Sequence, residues 1–312
     1  MTTAATAPTG AGTRATERSV GGPRAPRRLR VGWAGLLPFV AYVLIFLALP
    51  AALAVLSGFQ NQAGAFTLEN FSAFADPSIQ QGFVNALSVS AVTAVIGAVV
   101  GALICFALLG SRPDGWLRGI VDSASSVLAQ FGGVMLAFAF IATVGVTGFV
   151  TKLLVQWGWT DNPFGANGDG GPLLYQQAGL TLVYLYFQIP LMVITFMPAM
   201  EGLKSSWAEA NATLGGTRFT YWTRIGMPVL APAFFGSLIL LFANSFSSFA
   251  TAATLIPQGI LTATQIRSQL TSETILGLSN VAGVLALGMV VVMVVLMTLY
   301  GLLQRRAARW QR

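Results

Sequence analysis

Six apolar runs constrain this chain more than any other feature: Leu36–Ser57, Val84–Gly110, Ile120–Val144, Ala178–Met200, Val229–Ala250 and Val281–Leu303. Each is 22 to 27 residues long, and a helix needs about 20 residues to cross a ~30 Å hydrocarbon core. Hydrocarbon offers no water to a bare N–H or C=O, so only helices and closed barrels span it. The runs are continuously apolar rather than alternating at period two, which argues against a barrel. The expected fold is therefore an all-α membrane protein with six transmembrane helices. Composition agrees, with 55% hydrophobic and 9% charged residues, where a soluble domain carries about 25% charged.

The basic residues orient the spans. Six lie before the first run (Arg14, Arg18, Arg24, Arg27, Arg28, Arg30), two in the second loop (Arg112, Arg118) and three in the fourth (Lys204, Arg218, Arg224). Four more close the chain (Arg305, Arg306, Arg309, Arg312), and the opposite side has only Lys152 and Arg267. The positive-inside rule then places both termini in the cytoplasm. The net charge of +7 is accounted for by topology and membrane lipid, and no nucleic-acid partner is expected. Residues 1–30 are rich in Thr, Ala, Gly, Pro and Arg without apolar periodicity, and read as a disordered basic tail. A cleaved signal peptide is the rival reading; a 30-residue leader is too long for one, and the first run is long enough to span. Residues 31–312 form the expected transmembrane domain.

Several chemistries drop out. Histidine is absent and the one cysteine, Cys105, lies in an apolar run. That removes Ser-His-Asp and Cys-His triads, histidine metal sites and disulfides. Neither lysine, Lys152 nor Lys204, follows a glycine, so a phosphate-binding G-x-x-x-x-G-K-[ST] loop is excluded. No catalytic or metal residues are expected. Asp122, the one carboxylate inside an expected span, lies four residues from Arg118, and a paired structural role is expected for it.

The loops differ in what they say. Between the first two spans, Asn70 and Asp76 are placed to cap short surface helices. Loop 3–4 carries an apolar stretch, Phe149–Trp157, then breaks at Asp161–Pro163 and through Gly165–Gly171. Loop 5–6 has a turn at Pro257–Gly259. The informative loop is 201–228, EGLKSSWAEANATLGGTRFTYWTRIGMP. Met200, Leu203, Trp207, Ala210 and Leu214 fall at helical spacing, with Lys204, Glu209 and Asn211 elsewhere around that helix. Gly215 and Gly216 are expected to end it. Thr217 then caps a second stretch with Phe219, Trp222 and Ile225, which Pro228 stops.

Glu209-Ala210-Asn211, then Gly215, then nine residues to Ile225, Met227 and Pro228 resemble the cytoplasmic signature of permease subunits in bacterial ABC importers. That signature reads Glu-Ala-Ala, three residues, Gly, nine residues, Ile, one residue, Leu-Pro. Asn211 and Met227 depart from it, replacing alanine and leucine. Three further stretches, Tyr186–Pro190, Phe246–Ala252 and Gln265–Leu270, resemble the spermidine/putrescine-type branch.

The resemblance implies the type I importer permease fold in the bacterial plasma (inner) membrane. It implies as partners a second permease subunit, a dimer of a separate ABC ATPase that binds the ATP and Mg²⁺, and an extracytoplasmic solute-binding protein. The loop would dock on the ATPase through Trp207, Glu209, Ala210, Asn211, Leu214, Gly215, Ile225 and Pro228. Trp207 and Leu214 would anchor a rigid helix, Glu209 would pair with a basic group, and Gly215 would permit a close turn. The implied cargo is a polyamine, with phosphonate, ferric iron or sugar as alternatives within the class.

Polar groups inside spans are costly and so are pathway candidates: Gln130, Gln188, Asn244, Ser245, Ser247 and Ser248. The same residues also suit helix–helix packing. The competing class is an ATP-independent secondary transporter, which would show internal repeats or broken helices with intramembrane charge.

Overall fold

The structure, a computed structural model, describes residues 32–61, 63–111, 115–158, 164, 172–256, 261–271 and 278–310. The expected tail and the turns at 161–163, 165–171 and 257–259 lie outside them. Contacts divide the chain into two units, residues 1–50 and 51–312. In the first, α1 (Gly32–Val43) leads into a π turn, Leu44–Ala48, and α2 (Leu49–Ser57) begins there and continues into the second.

The second unit is helical along most of its described length. Asp76 opens α3 (Pro77–Leu109): its carboxylate accepts from the Ser78 N–H at 2.8 Å, with Pro77 in the first turn. The residue expected to cap a short surface helix thus caps the second span itself, which begins seven residues earlier than its apolar run. Asn70 closes the preceding loop by donating to the Gly58 and Gln60 carbonyls. There follow α4 (Trp116–Gln130), α5 (Gly133–Val144), α6 (Phe149–Gln156) and α7 (Gln177–Glu201). Then come α8 (Ser205–Thr213), α9 (Arg218–Tyr221), a π turn at Trp222–Gly226 and α10 (Met227–Ser247). The chain continues with α11 (Phe249–Leu255), α12 (Thr262–Thr271) and α13 (Leu278–Trp310).

Among the described residues, six helical stretches are long and apolar enough to cross a membrane: Gly35–Ser57, Pro77–Leu109, Gly133–Gln156, Gln177–Glu201, Arg218–Ser247 and Asn280–Leu302. The number agrees with the apolar runs, but the third and fifth differ in position. The expected span 120–144 is broken at Phe131-Gly132, because Gly133 takes φ +73, a conformation that glycine alone adopts freely. The third crossing stretch is therefore 133–156, which absorbs the apolar segment assigned to loop 3–4. The expected span 229–250 stops at Ser247, and Ser248 (φ −77, ψ 84) turns the chain into α11.

Helices in lipid gain nothing from hiding apolar surface from water, so association rests on close packing and interhelical hydrogen bonds. Small residues supply the closeness. A Cβ on Gly101 of α3 would lie 2.5 Å from the Met192 Cβ of α7, and one on Gly97 would lie 3.0 Å from the Gln188 Cβ. Around this contact α3, α7 and α10 bury Ala94, Ala98, Met192, Val193, Phe196 and Leu241. Helix α4 lies along α7, α5 packs on α11, and α12 packs on α13 and α3. Gln265 of α12 reaches the Ser78 carbonyl over Gly82.

Candidate functional site

The 201–228 segment, the expected docking loop, is built in two pieces. Helix α7 ends at Glu201, Lys204 is extended (φ −77, ψ 132), and α8 starts only at Ser205. Met200 and Leu203 therefore do not belong to the α8 face; Met200 is buried in α7. On α8, Trp207 is half-buried while Glu209 and Ala210 are exposed. Leu214 is 88% exposed. It cannot anchor the helix to its own chain, and stands free for another surface.

Gly215 (φ +76) ends α8 as expected. Across the turn, the Asn211 amide donates to the Thr217 carbonyl at 3.1 Å, and the Gly216 N–H donates to the Asn211 carbonyl at 2.8 Å. A Cβ on Gly216 would sit 2.2 Å from Asn211 Oδ1, so the second glycine makes room for the asparagine. Thr217 caps α9 by accepting from the Thr220 N–H at 3.3 Å.

Pro228 does not stop the second stretch, which runs helically from Arg218 to Ser247. A proline inside a helix lacks its N–H and collides with the carbonyl four residues back. The π turn at Trp222–Gly226 widens the helix at that carbonyl, Arg224, and the Met227 N–H bonds to Trp222. Pro50 follows the π turn at Leu44–Ala48 with the same spacing. Ile225 is half-buried. Trp222 covers Gly226 and meets Phe106 of α3 edge-on at 5.1 Å. Beyond it Phe219 is 78% exposed. At the other end Arg118 of α4 pairs with Asp122 at 3.6 Å and with Glu201. The expected pairing of Asp122 is present, and Glu201 joins it. Glu209 has no ion-pair partner among the described residues.

The intramembrane polar residues fall into two groups. Gln188 and Ser245 are buried between helices: Gln188 Nε2 donates to the Leu241 carbonyl at 2.8 Å, and the Ser245 and Thr93 hydroxyls lie 3.0 Å apart. Gln188 Oε1 is buried without a partner among the described residues. Gln130 and Ser247 are exposed, and Asn244 and Ser248 half-buried. The six candidates are thus not one lining. Sequence reasoning passed over Thr93, Tyr184 and Thr251. The Tyr184 hydroxyl donates to the Ser248 carbonyl, and Thr251 Oγ1 to the Gly133 carbonyl at 3.1 Å. These bonds join the break in the fifth run to the break in the third, beside Phe131 and Phe140 packed on Tyr186. A buried tyrosine one turn before Gln188 was the available signal, because a phenol in lipid needs an acceptor.

No family model matches the chain. It is 25% identical over 176 residues to the sulfate transport system permease protein CysT of Salmonella typhimurium, covering 56% of this chain and 58% of that one. It is 20% identical over 218 residues to the spermidine/putrescine transport system permease protein PotB of Haemophilus influenzae, covering 68% and 73%. The chain thus spans less than two thirds of the first of these curated relatives. A chain of the bacterial alginate ABC transporter, solved in complex with an alginate pentasaccharide-bound periplasmic protein, superposes with TM-score 0.69 at 19% identity, over 88% of this chain and 94% of that one. The fold is that of an ABC importer permease, and the six crossing stretches fit a multi-pass membrane protein.

Proposed function

We propose that this chain, a relative of ABC importer inner-membrane permeases, is a pathway-forming permease subunit of an ATP-driven importer. A second permease completes the pathway, a separate ATPase dimer binds ATP and Mg²⁺, and an extracytoplasmic binding protein delivers solute. Both termini and the 201–228 loop face the cytoplasm, as the basic residues argue. The observation that carries this reading is the loop itself. It is fixed at both ends by contacts to α4 and α3, yet presents Glu209, Leu214 and Phe219 outward. Leu214, a large apolar side chain exposed outside the crossing stretches, is what a protein-docking surface would present. Purifying the chain in mild detergent from its own membranes tests it: an ABC ATPase is expected to accompany the wild-type chain and to be lost with Gly215→Asp. A chain that purifies alone and moves solute without ATP overturns it.

The breaks in the third and fifth runs are a feature a secondary transporter would share. Here they carry Phe131, Gly132 and Ser248 and no charge, which favours the importer.

For cargo, the polyamine reading is supported by the three branch-like stretches and by PotB, while the relative CysT and the alginate structure are named for anions. The carboxylates of Asp122 on α4 and Glu201 at the end of α7 are already held by Arg118. Phe246 is buried, so polycation recognition would rest on an exposed aromatic face such as Phe249, and on the binding protein. Uptake of spermidine resisting competition by sulfate is the outcome this reading expects; the reverse assigns an anion.

A further inference from the structure

We infer that Arg118 is a positioning residue that fastens α4 to the last residue of α7, so that the docking loop and two helices move as one body. The inference rests on reading 201–228 as the ATPase-docking loop. The Arg118 side chain is 13% exposed, whereas its carboxylate partners Asp122 and Glu201 are 50% and 47% exposed. One partner lies on its own helix, four residues on; the other is the terminal residue of α7. A guanidinium is a planar fork that serves two carboxylates at once, which an ammonium does not do in fixed geometry.

Pairs this exposed add little to stability, so the consequence of the arrangement is placement. Immediately after Glu201 come three non-helical residues, Gly202 to Lys204, and then α8. A displacement of α8 delivered through that short joint arrives first at the end of α7. Arg118 sets the place of that end relative to α4, which packs on α7. Farther along, α7 grips α10 through Gln188 on Leu241 and Tyr184 on Ser248. Motion entering at the loop therefore reaches the break at Ser248 through a continuous set of held contacts, as rigid-body transmission requires.

Asp122 has a different part. It keeps the guanidinium oriented within α4 and does not touch the loop's base. The two carboxylates should therefore not be equivalent.

The test uses the complex purified with its ATPase and placed in liposomes. Spin labels go on exposed positions of α4 and α8, through S123C and T213C in a C105S background. The inter-label distance is read before and after trapping with ADP and vanadate. In the otherwise unaltered chain the distance is expected to stay fixed on trapping. R118Q and E201Q are expected to shift it on trapping while the ATPase stays bound. D122N should behave as the unaltered chain, and the exchanged pair R118E/E201R should restore the fixed distance. The inference is overturned if R118Q leaves the distance fixed, if D122N and E201Q act alike, or if the exchange fails to rescue. Loss of the ATPase in R118Q also overturns it, making Arg118 a determinant of docking. Absence of the ATPase from the unaltered chain is a separate result, which refutes the importer reading and takes this inference with it.

Discussion

The Asn211 amide crosses the glycine pair of the 201–228 loop to the Thr217 carbonyl, and its oxygen occupies the space that a side chain at position 216 would need. One of the two residues that depart from the signature this loop resembles is thus the one that closes the turn. Asn211→Ala removes one partly exposed hydrogen bond, worth about 1 kcal/mol, and amide exchange across 212–218 should speed up by about fivefold at that energy. Gly216→Ala alone should cost about as much, because its Cβ displaces the Asn211 side chain from that same bond. Combining it with Asn211→Ala should therefore add little further loss. Exchange mass spectrometry on the four proteins checks this, and strict additivity would refute the packing of the two residues.

Gly215 poses a different constraint. Its φ is +76 and a Cβ there would meet nothing within 4 Å, so any penalty is one of backbone alone. The left-handed conformation costs an ordinary residue about 1–2 kcal/mol, and asparagine less. ATPase association should fall in the order Gly, Asn, Ala, Val at this position. A pull-down series in which Val equals Asn would point instead to side-chain collision with the ATPase.

How much of this could be read from sequence depends on which physical effect sets each element. Spans four and six were legible to within a few residues, because Gln177–Glu201 and Asn280–Leu302 are bounded where hydropathy falls. Span three was not. Hydropathy averages across Phe131, Gly132 and Gly133, whereas the break depends on one glycine's φ. Span five ended early for a similar reason: Ser248 is unremarkable in sequence, and only the bond from Tyr184 shows why the chain turns there. In the loop, turn chemistry carried Gly215 and Thr217 correctly. Periodicity misplaced Met200 and Leu203, since it cannot see the extended Lys204, and proline's usual veto misread Pro228, which a π turn relieves. The Arg118–Glu201 pair spans 83 residues of sequence and had no local signal.

The Thr93–Ser245 and Gln188–Leu241 bonds hold α10 to α3 and α7. Interhelical hydrogen bonds in membranes average about 0.6 kcal/mol, since the separated helices also find partners. A double-mutant cycle on Thr93→Val and Ser245→Ala should give a coupling of that size in detergent unfolding. Gln188→Leu should cost little more, because it also removes the unpartnered buried Oε1. A loss above about 3 kcal/mol for Gln188→Leu would show that the amide oxygen has a partner.

Gly58 and Gly283 meet backbone to backbone. A Cβ on Gly283 would lie 2.5 Å from the Gly58 nitrogen and 2.6 Å from the Ala54 carbonyl oxygen. Main-chain atoms cannot step aside as a side-chain tip can, so Gly283→Ala should lower the thermal midpoint in detergent. Gly301→Ala on the same helix meets nothing within 4 Å. It should be neutral or stabilising by about 0.5–1 kcal/mol through helix propensity. Equal effects at the two positions would refute the close approach.

Asp76 supplies a pH dependence with a definite sign. The Ser78 backbone N–H and its hydroxyl, bonded to the carboxylate, hold the Asp76 pKa below its ordinary 3.8. A carboxyl depressed on folding favours the folded state fully above the unfolded value, and that contribution is lost as pH falls through the lower folded value. The effect should thus appear only below about pH 3.8, the ordinary value, and be absent at neutral pH. Asp76→Asn preserves a capping oxygen without the charge, so it should flatten the acid limb of stability against pH while leaving α3 capped. The check is the thermal midpoint of both proteins across the acid range. A parallel fall in both would assign the acid sensitivity to another carboxylate.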